Sequence, residues 1–253
     1  MPSSTFRAEL TKIRTLRSTV VTLALVPLIS VGLGVVSFTS VRIALERGLP
    51  VVRPDFEPVT DGLVTVLYGQ LALVAFGVLT ICGEHGSGLL RLSLSATPNR
   101  RTFYVGKIIA CAAVALTLSY ATVFATFLTA HWALGAYGPS FSSEGALRVL
   151  LGTPLYLTGL CLFALGVATV LRHTALALTV MLSFVFVVSP VANLVPGLKE
   201  VAHYFPDQAG TSIMKVGQQA DPVVGPWTGL LVLAAWTACA LLAGCWTLSR
   251  RDA

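Results

Sequence analysis

Charge is scarce in this sequence. Asp, Glu, Lys and Arg make up 11% of its 253 residues, where a soluble globular domain carries about 25%. Hydrophobic residues make up 55% and mean hydropathy is +0.81. So few charges cannot cover the outside of an aqueous fold of this size, which excludes a soluble enzyme. The same composition excludes a disordered chain or a coiled coil. A nucleotide-cradling loop is also lacking. No G-x-x-x-x-G-K-[ST] run occurs, and Gly106-Lys107 continues into Ile108 without the upstream glycine. Any energy source must lie on another chain. No C-x-x-C pair exists, and Cys82, Cys111, Cys161, Cys239 and Cys245 all fall within apolar runs or at their ends. They read as small packing residues, with no disulfide framework, metal site or bound cofactor implied. The surplus of +6 is split into short clusters between apolar runs, whereas a nucleic-acid binder gathers its basic residues on one folded face.

Six charge-free stretches are present, at 18–41, 62–83, 108–143, 149–171, 173–198 and 222–249. A helix of about 20 residues crosses the hydrocarbon core, and a charge at its centre costs about 2.5–3.5 kcal/mol on insertion scales. The expected fold is therefore all-α and polytopic. Its six transmembrane helices are placed at about 18–41, 62–83, 106–134, 149–171, 174–198 and 223–248. Helices are preferred to a barrel because the runs are continuous rather than alternating. Residues His131 to Pro139 read as an interfacial end and a turn. Pro27 and Pro190 fall within spans and are candidate kinks. The first run exceeds a signal peptide's apolar core and has no A-x-A site after it, so it reads as a retained span.

The few charges set the orientation. The N-terminus, the 84–107 loop, the Arg172 turn and the C-terminus hold eleven basic and three acidic residues. The alternate loops hold six basic and eight acidic residues. The first set is expected in the cytoplasm, with both termini. Residues 1–17 place Phe6, Leu10, Ile13 and Leu16 at helical spacing, with Arg7, Glu9, Lys12 and Arg14 on the other face. This predicts a helix lying on the cytoplasmic surface of the bilayer. Pro50, Pro54 and Pro58 predict an extended outer connection. In the outer segment 199–222, Tyr204, Phe205, Ile213, Met214 and Val216 are candidates to dock at the membrane edge.

The 84–105 loop carries Gly83-Glu84-His85-Gly86-Ser87-Gly88 and then Leu89-Leu90-Arg91. On the residues alone it is either an interfacial turn with a flanking acid or a docking element for a cytoplasmic partner. Its leucines suit a strand as well as a helix. Gly83-Glu84-His85 followed by Gly88 and Arg91 resembles the G-E-[Y/H]-x-x-G-x-x-R segment after the second span of bacterial permeases of type-2 ATP-binding-cassette exporters. The basic opening through Lys12 and Arg14, the Leu171-Arg172-His173-Thr174 turn and the Arg250-Arg251-Asp252 tail resemble theirs as well. The resemblance covers nearly the whole chain.

It implies the permease subunit of an ATP-driven exporter in the bacterial cytoplasmic membrane. Such a subunit pairs with a second permease copy or paralogue and with a separate ATP-binding subunit that carries ATP and magnesium. Glu84, His85, Gly86, Gly88 and Arg91, with the N-terminal helix, would form the contact to that ATPase. In that scheme Gly86 and Gly88 supply the turn, Glu84 caps the docking segment and Arg91 pairs with an acid on the partner. Tyr68, Gln70, Thr117 and Tyr120 are candidate path residues, and a mostly apolar path suits a hydrophobic or amphipathic substrate. A secondary carrier and a membrane scaffold are the alternatives, but no ionisable residue occupies a span centre for ion coupling. An intramembrane protease would need Ser87 and a histidine from His85, His131, His173 or His203, of which only His85 and His173 are assigned to its side.

Overall fold

The computed structural model describes residues 2–48, 55–87, 100–219 and 223–250, without the side chains of residues 2–7, 84–87 and 218. Gly88 and Arg91 lie outside the described residues, as do the side chains of Phe6, Glu84, His85 and Gly86. The described chain is helical, with no strand. Its elements are α1 (Pro2–Thr15), α2 (Arg17–Glu46), α3 (Pro58–Asp61), α4 (Val66–Ser87), α5 (Arg100–Leu134) and α6 (Ala146–Leu171). They continue as α7 (Thr174–Leu194), α8 (Lys199–Ala202), α9 (Pro206–Thr211) and α10 (Pro226–Arg250). The helices α2, α4, α5, α6, α7 and α10 are each long and apolar enough to cross a membrane.

The spans α4 and α6 form the centre. Two thirds of each apolar window is buried (67%), against 22–33% in the other four. Small residues let them approach. A Cβ at Gly77 would collide with the carbonyl of Cys161, and one at Gly69 with Ser30 Oγ on α2. Lipid gives helices no hydrophobic reason to associate, so close backbone packing supplies the contact. The spans α6 and α10 meet in the same way, with Gly166 against the Ala240 backbone and Gly159 against Leu233. The cysteines Cys82, Cys111 and Cys161 are buried and free, while Cys239 is exposed.

The α2 helix is continuous through Pro27. Pro190 behaves differently. It follows a π-helical segment, Phe184–Val188, in which Ser189 N–H donates to Phe184 O. Proline has no N–H, so the fourth carbonyl back has no proline partner and the ladder widens by one residue.

The two ends of the bundle are tied by polar groups. Arg100 donates to Leu248 O at 3.1 Å and Arg172 to Thr247 O at 3.2 Å. These carbonyls belong to the last turn of α10, where a helix leaves acceptors unpaired. Arg172 itself has φ +56° at the end of α6, and His173 accepts from Leu176 N–H at the start of α7. At the other end, Val216 N–H donates to Thr60 Oγ1 at 3.0 Å and Gln219 to Asp61 Oδ2 at 3.0 Å. Arg148 donates to Lys215 O at 2.9 Å. Of the docking candidates, Ile213, Met214 and Val216 are buried, and Tyr204 is exposed. Tryptophans mark both ends of α10. Trp227 and Trp246 are exposed, and Arg250 stacks on Trp246 at 4.6 Å, as interfacial anchors do. His131 bonds to Pro139 O at 2.8 Å across the turn after α5.

Candidate functional site

The first site is built where α1 meets the ends of α4 and α5. Helix α5 begins at Arg100, so Lys107 lies within it, two turns from its start. Its side chain is 1% exposed, and it meets Glu9 Oε2 at 2.6 Å. Lys107 also donates to the Thr80 carbonyl of α4 at 3.1 Å. That carbonyl lies one turn beyond Phe76, whose own carbonyl accepts from Thr80 Oγ1. Glu9 Oε1 accepts from Lys12 at 2.8 Å. Both lysines lie over the buried Phe103 ring, at 5.8 Å and 5.3 Å from its centroid, within reach of its negative face.

This corrects one expectation. Glu9 was assigned to the polar face of a surface helix, but it is buried, 3% exposed. Lys107, counted among the loop charges, falls within the span expected at 106–134, and α5 carries it. The pairing is the physical reason: each charge neutralises the other, and Lys107 makes an additional bond to a backbone carbonyl. Burial alone would raise the Glu9 pKa. The Lys107 charge and hydrogen bond, helped by Lys12, outweigh burial and hold it below 4.5. The other residues of the stripe are arranged as an amphipathic helix requires, with Ile13 buried, Leu10 half-buried and Arg14 exposed. Leu16, just beyond α1, is exposed.

A small crevice of about 130 Å³ opens beside the pair, lined among others by Glu9, Lys12, Thr80, Gly83 and Lys107. Gly83 immediately precedes Glu84. The chain continues helically through Glu84, His85 and Gly86 to Ser87, so α4 extends one turn past the apolar run. Gly86 therefore lies within a helix, where a turn was expected, and Glu84 is near the end of a helix rather than the start of one.

The second site is at the opposite end. A cavity of about 450 Å³ lies between α4, α6, the π segment of α7 and the 199–219 segment. Tyr156 donates to Gln70 Oε1 at 2.6 Å on its wall, and both residues are buried. Of the candidate path residues, Tyr68 and Gln70 line this cavity. Thr117 and Tyr120 do not. They are exposed on α5, where Thr117 bonds to Ala113 O and Tyr120 to Leu151 O. Sequence reasoning passed over Asp207, Tyr156 and Lys107. Asp207 is an acid in an otherwise mixed loop, and its burial depends on α9 folding back against α10, which no local pattern announces.

Comparison with known proteins shows the family. The family described as ABC-2 family transporter protein matches residues 4–253. The chain belongs to the ABC-2 transporter family. No curated protein matches it. This ABC-2 chain is thus a multi-pass membrane permease of an ATP-binding-cassette transporter. The match takes in the 84–91 segment, α1 and the C-terminal end together.

Proposed function

We propose that the chain is the permease subunit of an ATP-driven exporter, working in the cytoplasmic membrane with a separate ATP-binding subunit that holds ATP and magnesium. Two copies, or one copy and a paralogue, form the transport path. The substrate is amphipathic, and the 84–91 segment with α1 meets the ATPase from the cytoplasm. The single observation that carries the reading is the buried Glu9–Lys107 pair. It fastens α1 to α5 and, through Thr80, to α4 three residues before Gly83. A push on α1 or on the end of α4 is therefore transmitted to two spans at once, because the charges cannot part without leaving one unpaired inside.

The experiment is reconstitution with the partner ATPase in lipid vesicles. Replacing Glu84→Ala should lower both substrate-stimulated hydrolysis and transport by at least tenfold, while the chain still assembles with its partner. Full stimulation in that variant would remove Glu84 from coupling. Transport that proceeds without any ATPase would instead favour a secondary carrier.

A further inference from the structure

The outer cavity holds a group that the reading above does not use. Asp207 is 4% exposed, it lines the cavity, and its Oδ1 has no hydrogen-bond partner among the described residues. Its other oxygen accepts from Gln208 Nε2 at 3.3 Å. A buried carboxylate oxygen without a well-formed hydrogen bond is costly, and the Ser189 hydroxyl and neighbouring amides compensate it only in part. Burial accordingly pushes the Asp207 pKa above 3.8, although Ser189 and neighbouring amides pull it down.

The remaining lining says what would satisfy it. Gln70 Oε1 accepts from the Tyr156 hydroxyl, which leaves each oxygen a further lone pair, and Val64, Leu67 and Phe186 supply apolar surface. Asp61 also lines the cavity, but its carboxylate already accepts from Glu57 N–H and Gln219. Lys215 is the one cation of the lining, and it forms no ion pair with Asp207. An anion would face two carboxylates. An ammonium would bring donors to the free lone pairs of Gln70 and Tyr156 and a charge to Asp207. The volume falls within the usual range for small-molecule sites, about 300–1,000 Å³.

We propose that this cavity binds a lipophilic amine, with its ammonium on Asp207 and its apolar part against α4 and the π segment of α7. The proposal deepens the permease reading by naming a ligand class. It rests on that reading only for the transport that would follow, since binding itself needs no ATPase.

The test uses the purified full chain in detergent micelles. The probes are dansylcadaverine, a fluorescent lipophilic primary amine, and its N-acetyl derivative, which keeps the size and loses the charge. The amine should bind at least tenfold more tightly than the acetylated form. Asp207→Asn, nearly isosteric, should abolish that preference while leaving the acetyl probe's affinity within twofold. Lys215→Ala should tighten amine binding, because a competing cation is removed. Val185→Trp, which fills the cavity, should weaken both probes. Equal affinity for the two probes would overturn the proposal. So would a preference that survives Asp207→Asn, or binding of both probes that is untouched by Val185→Trp. If the asparagine variant does not fold, the Lys215→Ala and Val185→Trp results decide. A failure here leaves the Glu84 experiment unaffected, and the reverse is also true.

Discussion

At the scale of single residues, the chain spends its few charges where they have partners. Lys107→Met should be strongly destabilising, because Glu9 would lose its buried cation and keep only Lys12, which is partly exposed. Breaking a buried pair from one side costs about 3–5 kcal/mol, which a thermal-unfolding midpoint in detergent would register. Changing both partners, Glu9→Gln with Lys107→Met, should recover much of that loss. The pair also gives a pH signature. The folded pKa of Glu9 lies below 4.5, so its contribution is complete above about pH 4.5 and is lost as the pH falls through the folded value. An acid titration of stability should show this loss in the native chain and not in the double variant. Neither residue was legible as a partner beforehand. Ninety-eight positions separate them, and a count of loop charges treats each as an ordinary flanking group. The only hint was that Lys107 adjoins a long apolar run with no acid in its own turn.

At the scale of elements, the six spans were legible because length and absence of charge decide them together. Their packing order was not. Which glycine meets a backbone and which faces outward depends on neighbours that apolar sequence does not name. The contrast between two glycines makes this testable. Gly32 on α2 has nothing within 4 Å of where a Cβ would sit, whereas Gly77 on α4 faces the Cys161 carbonyl. Gly32→Ala should leave thermal stability unchanged or raise it by about 0.5–1 kcal/mol, the usual gain in a helix interior. Gly77→Ala should lower it by about 1–3 kcal/mol, the ordinary penalty of overpacking. Matched unfolding curves for the two variants would show that α4 and α6 are not in backbone contact. The helical turn at Glu84–Ser87 was missed for a related reason. Two glycines near a charge read as a break in sequence, yet the hydrogen-bond ladder of α4 carries across the first of them.

At the scale of the whole molecule, this member of the ABC-2 transporter family is a bundle whose two ends are differently built. One end is held by arginines on helix carbonyls and by the Glu9–Lys107 pair, and the other by a folded outer segment over a cavity. The charge distribution leads to the expectation that the first end is cytoplasmic. With the exposed Cys239 changed to Ala, a cysteine introduced at Ser142 should react with a membrane-impermeant thiol reagent on intact cells. One introduced at Ala8 should react only after permeabilisation. The opposite labelling would invert the topology and separate the 84–91 segment from any cytoplasmic ATPase.

The π segment of α7 has a consequence for how that span can be matched to anything beside it. Because Ser189 bonds five residues back, the chain there holds one residue more than an α turn does, and each residue advances a helix by roughly 100°. The face that Thr174–Ser183 presents is therefore out of phase with the face that Ser189–Leu194 presents. A neighbour fitted along one stripe of α7 would lose its place half-way up. Successive substitutions along the span should accordingly show a periodic pattern of sensitivity that slips by one position across 184–188. A single unbroken helical wheel drawn for α7 would then group residues that never share a side.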